Sequence, residues 1–166
     1  IQNNLGLTLQ IQGMRAEGAR GADLIMQAAT AFNAALQVYR RAEYPVDWAR
    51  TQNNIANTLR IQGGRTNGKK GADFLAQAVT AYRAALEVRT RADHPVDWAI
   101  TQENMGFAEM AIAQHDSCTD TRAAFARALE AVENALKIFD PIHTSYDHDA
   151  ATRLRDDILA QRDALD

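Results

Sequence analysis

Residues 45–54 read PVDWARTQNN, and residues 95–104 read PVDWAITQEN. When residues 1–50 are laid over residues 51–100 without a gap, more than half of the positions are identical. A third and looser copy follows, up to about Asp140. A regular period of this kind is typical of repeat proteins, in which each copy forms one supersecondary unit that stacks on the next. We therefore expect the copies to share one fold.

Each copy contains two helical patterns. The first pattern places five residues on one stripe of a helix: Trp48, Gln52, Ile55, Ala56 and Leu59. Pro45 suits the first turn of this helix because it has no N–H to leave unpaired, and Gly63-Gly64 suits its end. We expect a loop over residues 65–71 and a second helix opened by Asp73. The offset of fifty then predicts helices at about 1–13, 22–41, 46–63, 72–91, 96–114 and 121–139.

The repeat period also defines the domain. We expect a single all-α domain over residues 1–166, with repeats at about 1–44, 45–94 and 95–140. Identity to the repeat ends after Asp140, and residues 147–164 predict a capping helix with one apolar stripe and a charged outer surface. Ile1 enters in the middle of a repeat, so we expect the chain to be a fragment of a longer array.

Composition excludes several classes of protein. The apolar fraction of 46% and the charged fraction of 23% are those of an ordinary globular protein. No apolar run approaches the roughly eighteen residues that span a bilayer, so we expect no membrane partner. The single cysteine, Cys118, cannot form an internal disulfide, which favours a cytoplasmic location. The pI of about 5.8 and the lack of a basic stripe predict no nucleic-acid partner.

Three short segments imitate chemical motifs. Residues 63–69 match G-x-x-x-x-G-K, but Lys70 stands where a P-loop has Ser or Thr. His115, Asp116 and Cys118 lie close in sequence, but no second cysteine or well-spaced histidine completes a zinc site. Residues 143–148 contain residue types found in catalytic sites, but no second group of residues places a base or an oxyanion donor beside them. We therefore expect no enzyme activity, no cofactor and no metal, and we leave open whether the basic loop around Lys70 contacts an acidic partner or only solvent.

The second helical pattern carries a family resemblance. Alanine, an aromatic residue four positions on and alanine three further on occur twice: Ala28, Phe32 and Ala35, then Ala78, Tyr82 and Ala85. This arrangement resembles the tetratricopeptide repeat. The period of fifty exceeds that family's 34 residues, and we expect the extra length in the connections. The text from His94 to Gly106 is similar to the long repeats of kinesin light chains and related bacterial arrays.

The resemblance implies an α-solenoid of about three helical hairpins that binds a peptide or partner protein on a concave surface lined by the first helices. The candidate groove residues are Asn4, Leu7, Ile11, Arg50, Asn53, Asn54, Asn57, Ile61, Ile100, Asn104 and Phe107. The ladder of Asn4, Asn54 and Asn104 either pairs with a peptide backbone or holds neighbouring repeats in register. Trp48 and Trp98 are expected in packing between repeats. Two other functions stay open: a scaffold or self-association segment, and a regulatory region of a larger signalling or effector protein.

Overall fold

The computed structural model describes residues 1–165, and over that range the chain is all-helical. In chain order the helices are α1 (Gln2–Arg15), α2 (Gly18–Val38), α3 (Pro45–Gly64), α4 (Gly68–Leu86), α5 (Pro95–Gln114), α6 (Thr121–Leu136) and α7 (Ser145–Asp163). Among these helices, none is both long and apolar enough to cross a membrane.

The helices pack as three pairs followed by a single helix. Helix α1 packs on α2, α3 on α4 and α5 on α6. The second helix of each pair also contacts the first helix of the next, so that α2 meets α3, α4 meets α5 and α6 meets α7. The first helices contact one another in turn, from α1 to α3, α5 and α7. Helices α3 and α5 are therefore enclosed by neighbours on several sides.

The backbone period of fifty extends further than the sequence identity. Helices α3, α5 and α7 begin at residues 45, 95 and 145. One backbone hydrogen bond closes each preceding turn, from the N–H of Tyr44 to Arg40, of His94 to Thr90 and of Thr144 to Asp140, at 2.8, 2.9 and 2.9 Å. Helix α7 thus occupies the place of a fourth first helix, although Ser145 replaces the proline of the earlier copies.

The expected loop lengths were wrong. Helix α4 begins at Gly68, and the connection from α3 is only residues 65–67. Gly68 and its counterpart Gly18 have φ values of 66° and 59°, which is left-handed backbone that glycine adopts without strain. The chain can therefore turn directly into the second helix, and Asp73 lies inside it. Because α3 has 20 residues and α4 has 19, the length beyond a 34-residue repeat lies mainly in the helices.

The core is built from alanines with a few large side chains. Ala28, Ala78 and Ala128 stand at matching positions of the second helices, and all are buried. The large residue four positions beyond each alanine is also buried: Phe32, Tyr82 and Val132. Small residues let the paired helices approach closely, as where the ring of Phe32 lies against Gly6. The apolar stripe predicted for the last helix is buried as well, with Ala151, Leu154 and Ile158 in the core of the third pair.

Each tryptophan lies at the start of a first helix, half-buried beside an arginine. Trp98 packs against the core of the third pair. The guanidinium of Arg41 lies 5.3 Å from the ring centre of Trp48, and that of Arg91 lies 5.8 Å from the ring centre of Trp98. This placement agrees with a packing role for the tryptophans.

Candidate functional site

In α3, the first helix of the second pair, the contacts with neighbouring helices show which side of a first helix remains accessible. Asn54 bonds to Asn3 of α1, Asn53 bonds to Asn104 of α5, and Ala56 lies in an apolar cluster with α4. At about 100° per residue, the arc that remains carries residues 50, 57 and 61. We call this arc and its counterparts in α1 and α5 the first-helix face: Leu7, Ile11, Arg50, Asn57, Ile61, Ile100 and Phe107.

The first-helix face is largely apolar although it is an open side. Leu7 and Ile11 are each 42% exposed, and Ile61, Ile100 and Phe107 are half-buried. The guanidinium of Arg60 lies 5.6 Å from the ring centre of Phe107 and crosses the junction between α3 and α5. Apolar side chains on the open side of three adjacent helices form a patch that can bury an apolar partner surface.

The asparagine ladder is engaged between copies. Asn54 Nδ2 donates to Asn3 Oδ1 at 3.2 Å, and Asn104 Nδ2 donates to Asn53 Oδ1 at 3.4 Å. Both acceptors, Asn3 and Asn53, are buried. These bonds are the ones that the register alternative requires, because each ties one first helix to the next. Asn4 is exposed.

Two further groove candidates have partners within the chain. Asn57 Oδ1 accepts a 2.6 Å hydrogen bond from the hydroxyl of Tyr82 in α4. Burial raises the pKa of that hydroxyl to about 12, so it stays a proton donor. Arg50 Nη2 lies 2.5 Å from Asp47 Oδ1 in an exposed pair within α3. The polar members of the face are therefore held in place. Leu7 and Ile11 remain exposed, whereas Ile100 and Phe107 pack against the core of the third pair and keep only part of their surface exposed.

Arg65 and His115 connect the carboxyl ends of the first helices, a role that the sequence patterns did not predict. Arg65 donates to the carbonyls of Gly13 and Met14, which end α1. His115, fifty residues later, lies 3.0 Å from the carbonyl of Thr66 through its Nε2. Helix carboxyl ends leave carbonyls without partners in the helix, and a side chain of the next copy supplies one here. The offset of fifty between residues 65 and 115 was the available signal.

Other residues in or beside the three segments that match chemical motifs form hydrogen bonds or ion pairs within the chain. Both oxygens of Asp116 accept the backbone N–H of Gly68 at 3.1 Å. Lys69 pairs with Asp73 at 3.0 Å on the surface. Asp140 accepts backbone and ring hydrogen bonds from His143 and a backbone bond from Ile142, and these lower its carboxyl pKa. The Asp116 contact joins two copies, the Asp140 contacts close a turn, and the Lys69–Asp73 pair lies within α4.

No protein-family model, curated protein or solved structure matches this chain. The resemblance to tetratricopeptide repeats accordingly rests on the residues quoted above.

Proposed function

We propose that the chain is a protein- or peptide-binding module that holds a partner segment against the first-helix face. In this proposal the chain is an α-solenoid of about three tetratricopeptide-like hairpins, with α7 as its cap. The pairing of the helices, the contacts between successive first helices and the constant offset of fifty support that architecture. The lone cysteine still favours a cytoplasmic setting.

One observation carries the binding proposal. Helices α1, α3 and α5 carry leucine, isoleucine and phenylalanine side chains on the first-helix face, and each of them keeps at least part of its surface exposed. The fold does not require apolar residues there, because Asn57 stands at the position that Leu7 and Phe107 occupy in the other copies. A partner that buries these side chains gains about 25 cal/mol for each Å² of apolar surface removed from water.

A peptide-display selection tests the proposal. Peptides selected on the wild-type chain are expected to lose binding to the double variant Leu7→Ser with Ile61→Ser. The control variant, Val38→Ser with Ile142→Ser, makes the same kind of change at exposed apolar positions outside the face and should bind the peptides normally. If no selected peptide distinguishes the two variants, the first-helix face is not the binding site.

Self-association through the same face is the alternative outcome. Light scattering would then show a concentration-dependent dimer in the wild type and in the control variant, and a monomer in Leu7→Ser with Ile61→Ser. A monomer at every concentration, together with peptides that bind, assigns the face to another protein.

A further inference from the structure

A polar cavity of about 220 Å³ lies between α4, α5 and α6. Its polar lining residues are Arg83, Gln102, Glu109, Arg127, Glu130 and Asn134. Gln102 and Glu109 are on the side of α5 opposite Ile100 and Phe107, given the helical repeat. The cavity is therefore separate from the first-helix face.

Gln102 recurs in every copy as Gln2 and Gln52, but the charged residues of the lining are particular to this cavity. At the matching positions fifty residues earlier, the chain has Leu59 for Glu109, Gln77 for Arg127, Thr80 for Glu130, Ala84 for Asn134 and Asn33 for Arg83. The second copy forms the same pair of helices with these neutral residues. The charges at the cavity are therefore not required by the fold, and five lining positions differ together.

Two buried acceptor groups line the cavity on α5. Glu109 is 3% exposed, and its Oε2 accepts a 2.9 Å hydrogen bond from Arg127 Nε. Gln102 is 8% exposed, and its buried Oε1 has no hydrogen-bond partner among residues 1–165. An unsatisfied buried acceptor costs about 1–3 kcal/mol. Because this oxygen is enclosed, the Gln102 amide has to rotate towards the cavity to meet an N–H donor of a ligand, and that contact would recover the cost.

Two charges of opposite sign complete the lining. Arg83 on α4 and Glu130 on α6 are exposed, and within the described chain neither has an ion-pair or hydrogen-bond partner. The cavity then holds two arginines and two glutamates, so its formal charge is zero. A ligand that carries one positive and one negative group preserves this balance, whereas a simple cation or anion does not.

We propose that this cavity binds a small zwitterion of the α-amino-acid class. The ammonium group donates to Gln102 Oε1 and faces Glu109, and the carboxylate pairs with Arg83. The volume agrees with a ligand of this size, because it holds several waters at about 30 Å³ each and is smaller than the roughly 300–1,000 Å³ of pockets for larger molecules.

The test is an NMR titration of the full chain with each standard amino acid, followed through the side-chain amide of Gln102. At least one amino acid is expected to bind with a Kd of about 1 mM or lower, and ethylamine and acetate are each expected to bind at least tenfold more weakly. The proposal is overturned if no amino acid shifts the Gln102 resonance, or if ethylamine alone binds equally well.

Two variants separate binding from folding. Glu109→Leu with Arg127→Gln restores the residues of the second copy and removes both charges together, so that no buried charge is left alone. Gln102→Met removes the side-chain amide, and with it the unpaired acceptor, without changing the charge of the cavity. Both should fold and bind the amino acid at least tenfold more weakly, while Asp73→Leu with Lys69→Gln, at a distant surface ion pair, should bind normally. Unchanged binding in the first two variants overturns the proposal, and peptides selected on the first-helix face should bind all three.

Discussion

Asn104 Nδ2 lies 3.4 Å from Asn53 Oδ1, one repeat beyond the matching 3.2 Å bond from Asn54 to Asn3. Both acceptors are buried. Asn3 Oδ1 also accepts from the hydroxyl of Thr51 at 3.3 Å, whereas Asn53 Oδ1 has no second donor among the described residues, so loss of Asn104 leaves it without a partner. The side chains of α7 cannot continue this series, because Leu154 stands fifty residues after Asn104. The two bonds tie α1 to α3 and α3 to α5.

The Asn104 bond predicts a loss of stability. Asn104→Ala should lower the free energy of unfolding by about 1–2 kcal/mol, measured by urea denaturation. Asn53→Ala should cost a similar amount, and the double variant should cost less than the sum because the two residues share one bond. Asn33→Ala, at an exposed position of α2, is the control and should change stability by less than about 0.5 kcal/mol. An unchanged urea midpoint for Asn104→Ala would show that this bond does not hold neighbouring repeats in register.

Gly71 and Gly64 make a matched pair of glycines. A Cβ on Gly71 would lie 1.7 Å from the carbonyl oxygen of Thr66 and 2.5 Å from His115 Nε2, whereas a Cβ on Gly64 would meet nothing within 4 Å. We expect Gly71→Ala to cost about 2–3 kcal/mol by overpacking. Gly64→Ala should leave the free energy of unfolding unchanged or raise it by up to about 1 kcal/mol. Thermal and urea denaturation check both, and equal effects of the two changes would contradict the prediction.

We expect the stability of the protein to depend on pH through Glu103. Burial, with a smaller contribution from the negative charge of Asp147, raises the pKa of Glu103 from 4.5 to about 7. The folded state therefore holds this proton more tightly than the unfolded state. The contribution of this proton to the free energy of unfolding is full below pH 4.5 and is lost as the pH rises to about 7.

Glu103→Gln isolates this effect. At about pH 8 the variant should be more stable than the wild type by roughly 2–3 kcal/mol, and the difference should vanish towards about pH 4. Urea denaturation of both chains across this range gives the difference, in which the titration of other groups cancels. A difference that does not vary with pH would show that Glu103 titrates normally.

Arg89 is a buried cation at a position that is aromatic in the other copies, where Tyr39 and Phe139 stand. Its Nη1 donates to Thr101 Oγ1 at 3.2 Å, its Nε has no partner among the described residues, and burial lowers its pKa. Asp97, 3.6 Å away, keeps 45% of its side chain exposed and so remains hydrated without the arginine.

We expect Arg89→Phe to equal the wild type in stability or exceed it by up to about 1–2 kcal/mol, because a buried charge is replaced by an apolar side chain of similar volume. Arg89→Ala should instead cost about 2 kcal/mol or more, because it leaves a cavity. Calorimetry on both variants tests this, and a lower melting temperature for Arg89→Phe than for Arg89→Ala would contradict it.

Much of the helical layout could be predicted from the sequence. Pro45 and Gly63-Gly64 mark the ends of α3 because their backbone preferences act locally, and Ala28 and Ala78 mark the buried stripe of the second helices. The starts of α2 and α4 were missed, because a glycine with positive φ was interpreted as loop. The apolar part of the candidate face was predicted from helical periodicity, whereas the partners of Asn54, Asn57 and Arg65 were not.

The amino-acid sequence alone determined the period of fifty and the buried stripe of the second helices, because both depend on side chains within a few turns of one another. The stripe predicted for α3 was wrong except at Ala56: the other four residues are only half-buried, and Thr51, Asn53 and Thr58 are buried instead. Only the tertiary structure decided that Asn53 accepts from Asn104, that Arg65 reaches the end of α1 and that Gln102 lies beside a polar cavity. Those contacts join residues about fifty positions apart or lie where three helices meet. Helix rotation by a single residue, about 100°, would change every one of them.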